Sequence, residues 1–342
     1  MVDAVTNSAA ESQLLSPLPW QQSLWARLLD QHQQNRLPHA LLICAAAGMG
    51  KEQLAIALGQ YLLCQQPENG QACGHCKSCL LSDQGTHPDL VRIAPDDVGK
   101  PIKVDQIRAL VETITRSAQQ GGYRVVVLGP AEEMNVNAAN ALLKVLEEPG
   151  DQTLFALYSH RPGRVMATIR SRCQSLSLPV PDTDAACDWL RQQAGFDGEP
   201  LEQLRLAGGA PMAALAQALE GQDEQRKTLY QTLKLIATQQ LGPTQGSEKL
   251  AKLSLAAVLD WWLALVQDTL RYRLTDDADG INTLTAQKLI IGLSRRVNEQ
   301  QMFEFADRIQ QYRVNLMSRN NPNERLLLED LLIRWGNLTN RR

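Results

Sequence analysis

The chain has 342 residues, of which 44% are hydrophobic and 21% charged, and its formal net charge is −3. This length predicts two or three domains, and the composition is that of a folded globular protein. The charge excludes a whole-chain electrostatic surface for nucleic acid, and an aromatic content of 5% argues against a base-stacking surface. Because no apolar run reaches about 18 residues and the first twelve residues lack a secretion signal, we expect a cytoplasmic protein with no membrane partner.

The first half of the chain alternates between two kinds of pattern. After an amphipathic helix over residues 20–34, short apolar runs predict strands at 40–44, 90–94, 125–128, 154–158 and 175–178. Helical patterns separate these runs, at 52–63, 104–118, 137–147 and 164–169. Alternating strands and helices with right-handed crossovers predict an α/β domain built on a doubly wound parallel sheet of about five strands.

From residue 179 onward the pattern is helical only, so the fold class is α/β followed by all-α. A small helical unit at 179–221 is followed by a helical region at 222–342, with breaks expected at 241–247, 276–280 and 320–323. We therefore predict domains at 1–178, 179–221 and 222–342. The helix over 255–270 is apolar on nearly all sides, which indicates either the core of the last domain or a subunit interface.

A degenerate phosphate-binding loop follows the first predicted strand. Gly50 and Lys51 match the Walker A pattern, with Gly48 inside the loop, but Ala45 replaces its first glycine and Glu52 replaces the Ser or Thr that would bind Mg²⁺. A carboxylate beside a triphosphate adds repulsion unless it turns outward. We expect nucleotide binding by this loop to be weak or absent, with no turnover of ATP and no role for Mg²⁺.

The strand at 125–128 lacks the acids that would complete such a site. The two positions after it are Gly129 and Pro130, which can neither hold Mg²⁺ nor orient water. Glu132 and Glu133 come later, and we interpret them as solvated acids at a helix start. The fold of an ATPase is thus predicted without its chemistry.

Four cysteines follow the spacing C-x8-C-x2-C-x2-C: Cys64, Cys73, Cys76 and Cys79. Four thiolates on a short loop predict a closed tetrahedral site for structural Zn²⁺, in a zinc module over 64–90. An iron–sulfur cluster could use the same thiols, but nothing nearby indicates a redox partner. We interpret His87 as part of a capped turn rather than as a ligand.

Together these motifs resemble one family. The segment 140–149, the Ser171-Arg172-Cys173 triplet, the degenerate loop and the four-cysteine insert are similar to those of the delta-prime family of bacterial DNA polymerase III clamp-loader subunits, which are AAA+ relatives. The resemblance implies an AAA+ core with a zinc insert at 1–178, a helical lid at 179–221 and a helical collar at 222–342. It also implies that Arg172 reaches in trans into a neighbouring motor subunit's ATP site; the alternative is a helix-end cation paired with a local acid.

The resemblance implies a non-hydrolysing stator subunit that supports ATP-driven loading of a sliding clamp onto primed DNA. It implies no intrinsic ATPase activity, and nucleotidyltransferase classification only by membership in a DNA-directed DNA polymerase holoenzyme. The implied partners are the motor subunits and the delta subunit, through the AAA+ and collar domains, with the clamp and DNA met through the assembly. The alternatives are an active AAA+ ATPase and a zinc-module DNA-binding protein.

Overall fold

The computed structural model describes residues 14–97, 99–114, 122–317 and 323–339. They form two compact units. The first contains the described residues up to Trp189 together with Ala210–Ala213, and the second contains Leu190–Gly209 with the described residues from Ala214 onward. Two compact units are found, whereas three domains are expected from the sequence, and the boundaries at 178 and 221 stay predictions.

The first unit is built on five strands and the helices between them. The strands are β1 (Ala40–Cys44), β2 (Leu90–Ile93), β3 (Arg124–Leu128), β4 (Thr153–Ser159) and β5 (Gln174–Ser177). The helices are α1 (Gln22–Gln33), α2 (Lys51–Leu63), α3 (Lys77–Asp83), α4 (Val104–Ile114), α5 (Val136–Glu147) and α6 (Ala167–Arg170), and α7 (Thr183–Arg191) begins here. The short helix α3 inside the cysteine insert was not predicted, and part of the predicted helix 104–118 lies outside the described residues.

The five strands are all parallel and lie in the order β2-β3-β4-β1-β5. The chain moves in one direction from β1 to β2 and in the other from β2 through β5, so right-handed crossovers place helices on both faces. One face packs Leu42, Val126 and Phe155 against residues of α4 and α5. The α/β architecture and the doubly wound parallel sheet are thereby confirmed.

Helix α2 crosses the other face at close range, at Gly59. A Cβ atom at Gly59 would lie 2.9 Å from Leu90 Cδ1 and 3.0 Å from Val125 Cγ1, so the helix axis approaches the sheet as nearly as a glycine permits. This contact packs the second half of α2 directly against β2 and β3.

The second unit is helical. It contains α8 (Pro200–Leu206), α10 (Gln222–Ala237), α11 (Pro243–Leu250), α12 (Leu255–Thr275), α13 (Gln287–Ser294), α14 (Glu299–Met317) and α15 (Glu324–Thr339). Helices α7 and α9 (Pro211–Leu219) are divided between the units. The expected break at 241–247 is wrong for its second part, because Pro243 is tolerated at the first position of a helix and α11 begins there.

Helix α12 is buried by its own chain. Its aromatic residue Trp262 contacts Phe305 of α14 and Trp335 of α15, with ring centroids 5.4 and 5.7 Å away. These residues belong to one hydrophobic core that the helices of this unit share. Of the two interpretations of residues 255–270, the core of the helical domain is therefore confirmed.

Polar side chains attach α8 to the rest of this unit. Glu202 is buried and accepts hydrogen bonds from the backbone amide and the hydroxyl of Thr285, at 3.2 and 2.8 Å. Asp223 accepts hydrogen bonds from Gln203, at 2.9 Å, and from Arg226. Burial is the largest effect and raises the pKa of Glu202 above its ordinary value, although the hydrogen bonds from Thr285 and the charge of Arg226 act in the opposite direction.

Among the described residues, no helix combines the length and the apolar composition that crossing a lipid bilayer requires.

Candidate functional site

The loop between β1 and α2 has the backbone of a phosphate-binding loop. Gly48 and Gly50 have φ angles of 73° and 77°, in the left-handed region that favours glycine. Lys51 begins α2, its side chain is buried, and its Nζ donates to the carbonyl oxygen of Ala46 at 2.5 Å. The ammonium group that would reach a phosphate thus bonds to the loop's own backbone.

Two segments from outside the loop pack against it. The indole of Trp20 donates to the carbonyl of Met49 at 3.1 Å, and the fully buried amide of Gln21 donates to the carbonyls of Met49 and Gly50 at 3.1 and 2.9 Å. From the start of α9, the backbone amide of Met212 donates to the carbonyl of Gly48 at 3.1 Å. The loop is therefore held in place by protein groups on both sides.

The same segments fill the space beside Gly50. A Cβ atom at Gly50 would lie 2.8 Å from Gln21 Nε2 and 3.0 Å from Met212 Sδ, and still closer to Leu18 Cδ1. The sequence does not predict this packing: the amphipathic helix expected over residues 20–34 includes Trp20 and Gln21 but indicates no contact with the loop. One local signal is Pro19, which is tolerated at the first position of a helix and begins a helical turn at Pro19–Gln21.

Glu52 turns away from the loop. Its carboxylate accepts a hydrogen bond from Arg92 of β2 at 2.7 Å and forms an ion pair with it. This orientation removes the charge repulsion expected beside a triphosphate, but it does not supply the missing hydroxyl ligand for Mg²⁺.

The end of β3 carries no acid, as expected. Gly129 and Pro130 follow Leu128, and the hydroxyl of Tyr158 donates to the carbonyl of Gly129 at 2.9 Å. A Cβ atom at Gly129 would lie 2.8 Å from the Tyr158 ring. The position where a metal-binding acid would stand is thus covered by an aromatic side chain.

Glu132 is not solvated, and that interpretation is wrong. Its side chain is 1% exposed, and its Oε1 accepts hydrogen bonds from the backbone amides of His160 and Arg161, each at 3.0 Å. Burial alone would raise the pKa of Glu132, but hydrogen bonds from Ser159 and from the backbone amides of Glu132 and His160 lower it below its ordinary value. Sequence reasoning missed this contact because its partners lie 28 and 29 residues away, at the end of β4.

Arg172 forms a network of hydrogen bonds within its own chain. Its Nε donates to Glu147 Oε1 at 2.8 Å, and its Nη2 donates to the same oxygen. Its Nη1 donates to the carbonyl of Thr168 at 2.9 Å and to the hydroxyl of Ser171 at 3.3 Å. In the free chain, Arg172 is therefore paired with a local acid.

Arg172 and the phosphate-binding loop lie at opposite edges of the sheet. The loop follows the carboxyl end of β1, whereas Arg172 comes just before the amino end of β5, and β1 and β5 are parallel neighbours. Glu147 ends α5, which leads into the amino end of β4. About four residues at ~3.3 Å per residue separate the two edges. Arg172 therefore lies at the end of the strands opposite to its own loop.

The four cysteines of the insert are brought together as predicted. Their Sγ atoms all lie within 4.8 Å of one another, with Cys64 to Cys76 at 4.0 Å and Cys73 to Cys79 at 3.9 Å. A tetrahedral ion with Zn–S bonds of ~2.3 Å requires sulfur separations of about 3.8 Å. These four residues can hold a metal ion.

Backbone amides point at the sulfur atoms. The amides of Cys73, Cys76 and Cys79 donate to the Sγ atoms of Cys64, Cys73 and Cys76, at 3.3 to 3.4 Å. Burial alone would raise the pKa of the Cys76 thiol, but hydrogen bonds from the backbone amides of Cys79 and Gln65 and from the neighbouring cysteine side chains lower it to about 6. Burial raises the pKa of Cys64 and of Cys79. Such amide donors stabilise negative charge on sulfur, which is the state that binds a metal.

His87 connects the insert to the sheet. Its Nδ1 accepts the backbone amide of Asp89 at 3.1 Å, so the opposite nitrogen carries the proton and donates to Ser78 Oγ, at 2.7 Å. Burial is the larger effect and lowers the pKa of His87, although the nearby Asp89 carboxylate acts in the opposite direction, so the ring is neutral near pH 7. The expected turn before β2 is present, and His87 is not among the four clustered ligands.

Comparisons with known proteins agree with this architecture. A family model described as DNA polymerase III, delta subunit, matches residues 20–182, and a second, described as its C-terminal part, matches residues 220–337. The chain is 40% identical to the DNA polymerase III subunit delta' of Pseudomonas aeruginosa, over 94% of this chain and 97% of that protein. The chain belongs to the DNA polymerase III delta-prime family.

Further relatives carry the same description. The delta' subunit of Escherichia coli strain K12 is 35% identical over 92% of this chain and 94% of that protein. Among solved structures, a DNA polymerase III gamma subunit-related protein from Thermotoga maritima aligns with a TM-score of 0.47 at 18% identity, covering 93% of this chain and 99% of that one. The family models and the two delta' relatives confirm the family resemblance that the sequence predicts.

Proposed function

We propose that this chain is a non-hydrolysing stator subunit of the DNA polymerase III clamp loader and that it donates Arg172 in trans to the ATP site of a neighbouring motor subunit. The observation that carries the proposal is the position of Arg172. Its guanidinium lies at the edge of the sheet opposite its own phosphate-binding loop, so a nucleotide that it serves must belong to another subunit. Membership in the delta-prime family supports the same assignment.

The relative free energies favour donation of Arg172 to a neighbouring nucleotide over its ion pair with Glu147. An arginine supplied in trans neutralises charge on the transferring phosphoryl group and increases the rate ~10³- to 10⁵-fold, or about 4 to 7 kcal/mol. The competing ion pair with Glu147 is between side chains that are 33% and 51% exposed. Exposed pairs contribute only about 0.2 to 1 kcal/mol. A neighbouring triphosphate can therefore displace Glu147.

The decisive experiment replaces Arg172 by Ala and measures DNA-stimulated ATPase activity of the reconstituted loader. We expect most of the turnover to be lost while assembly, followed by size-exclusion chromatography, is unchanged. Arg164→Ala is the matched control, because Arg164 is also exposed and lies in the same unit. Unchanged turnover of the Arg172→Ala loader contradicts the proposal.

The loop geometry supports the absence of intrinsic ATPase activity. Lys51 bonds to the loop backbone, Gln21 and Met212 pack against the glycines, and no hydroxyl for Mg²⁺ follows Lys51. We expect the purified chain to show no ATP turnover above background. Robust turnover that is abolished by Lys51→Ala would instead favour an active AAA+ ATPase. Without turnover of its own, the chain would be classified as a nucleotidyltransferase only through membership in the polymerase holoenzyme.

We assign the four-cysteine cluster to structural Zn²⁺, which when bound closes the insert by tetrahedral thiolate coordination. The sulfur separations and amide donors support this assignment. We expect about one zinc per chain by atomic absorption, with loss of the metal in Cys73→Ser. Cys187→Ser is the matched control, since Cys187 is buried outside the cluster. Iron and acid-labile sulfide in the purified protein would indicate an iron–sulfur cluster.

The proposed partners are the motor and delta subunits, with the sliding clamp and primed DNA met through the assembly. The helical unit has exposed apolar side chains suited to a collar contact. Phe303 and Val314 lie three turns apart on one face of α14, and Leu326 and Ile333 lie two turns apart on α15. Cytoplasmic location agrees with a role in replication.

A further inference from the structure

We infer that Glu147 holds Arg172 in a resting position and that this carboxylate is exchanged for a nucleotide phosphate when a neighbouring subunit docks. The inference rests on the proposed role of Arg172 in trans. It gives Glu147 a function of its own, as a positioning residue that acts through Arg172 and touches no nucleotide itself.

The contacts of Arg172 carry the first step. A guanidinium has five N–H donors. Four hydrogen bonds to Glu147, Thr168 and Ser171 engage its Nε, Nη1 and Nη2 atoms. Bidentate binding of a phosphate needs two parallel N–H groups on one edge of the guanidinium. The Nε and Nη2 edge is bonded to Glu147, and Nη1 is bonded to Thr168 and Ser171, so neither edge is available for bidentate phosphate binding until one of these contacts is released.

Glu147 and Arg172 belong to different helical segments, so the Glu147 contact can be removed without removing the other contacts of Arg172. Glu147 is the last residue of α5, whereas Arg172, Thr168 and Ser171 lie on or just after α6, 25 residues later. Loss of the Glu147 carboxylate therefore leaves the hydrogen bonds to Thr168 and Ser171 intact. The arginine would stay at the surface but would no longer be held on its Nε edge.

The ion pair between Arg172 and Glu147 is weak enough to be exchanged for another contact. Both side chains are partly exposed, and pairs of this kind shift an equilibrium about 1.4- to 5-fold, the equivalent of ~0.2 to 1 kcal/mol. When only a fraction of the Arg172 side chains is released from Glu147 and able to bind phosphate, the apparent affinity for phosphate falls by that fraction. Glu147 thus lowers the availability of Arg172 by a small and reversible factor.

The experiment replaces Glu147 by Gln in the reconstituted loader and measures kcat/KM for DNA-stimulated ATP hydrolysis. We expect an increase of about 1.4- to 5-fold, because the neutral amide competes less with phosphate. Damage to the fold would lower kcat/KM, so an increase in kcat/KM cannot be attributed to damage. Glu148→Gln is the matched control, with the same charge change at an adjacent exposed position, and we expect no increase. An unchanged or lowered value for Glu147→Gln overturns the inference.

Two further measurements separate this inference from the proposed function. In a loader that carries Arg172→Ala, the Glu147→Gln change should have no effect; an increase there overturns the inference. If Arg172→Ala alone leaves turnover unchanged, the proposed function fails, but the resting pair is still testable in the free chain. There, solvent exchange of the Arg172 Nε proton, measured by NMR, should be faster in Glu147→Gln than in Glu148→Gln, and equal rates overturn the pairing itself.

Discussion

The packing around Gly50 predicts a large response to a small substitution. In Gly50→Ala, the added methyl would lie 2.8 Å from Gln21 Nε2 and 3.0 Å from Met212 Sδ, and closer still to Leu18. The left-handed backbone alone costs an L-residue about 1 to 2 kcal/mol. Displacement of Gln21 weakens its two hydrogen bonds to the loop carbonyls, at about 0.5 to 1.5 kcal/mol each. We therefore expect a loss of ~2 to 5 kcal/mol in the free energy of unfolding.

Gly122→Ala separates the two contributions. Gly122 has a φ of 80°, close to the 77° of Gly50, but none of the described residues lies within 4 Å of an added Cβ atom. We expect this control to lose only the backbone contribution of about 1 to 2 kcal/mol. Urea denaturation of both variants, followed by far-UV circular dichroism with zinc present, gives the comparison. Equal losses would refute the reasoning that residues 18–21 and Met212 fill the loop.

Three other substitutions test the buried polar groups. Glu132→Gln should lower the free energy of unfolding by about 1 to 3 kcal/mol at pH 7. Because folding lowers the pKa of Glu132 below its ordinary value of 4.5, the carboxylate stabilises the folded state above that pH and loses this effect as the pH falls. The urea midpoints of the wild-type protein and the variant should therefore converge below about pH 4.5. Arg226→Met removes the buried partner of Asp223 but leaves its contacts with Lys227 and Gln203, so it should cost about 1.5 to 3 kcal/mol by the same assay, whereas a neutral result would mean that the pair contributes nothing net. His87→Ala removes the contacts to Ser78 and to the Asp89 amide and should lower stability by about 1 to 3 kcal/mol with zinc content unchanged; loss of zinc would instead make His87 part of the metal site.

The sequence predicts what depends on local patterns. Strand β1 is an unbroken apolar run because both faces of its sheet are covered, and the cysteine spacing is short enough to bring four sulfur atoms together within one insert. The left-handed glycines of the loop follow from their place between a strand and a helix. For these features, periodicity and spacing carry the structural information.

What the sequence could not give depends on distant partners. The burial of Glu132 requires the backbone amides at the end of β4. The packing beside Gly50 in the phosphate-binding loop requires Gln21 and Met212, which are 191 residues apart. The pairing of Arg172 with Glu147 was foreseen only as an unnamed local acid. Such contacts arise from the strand order, in which β1 lies between β4 and β5, and neighbours along the chain do not reveal that order.

The hydrogen bonds from Trp20, Gln21 and Met212 hold the loop backbone through groups of the same chain. We therefore expect the conformation of this loop to be independent of the adenylate concentration, so that it stays the same whether adenylates are abundant or scarce.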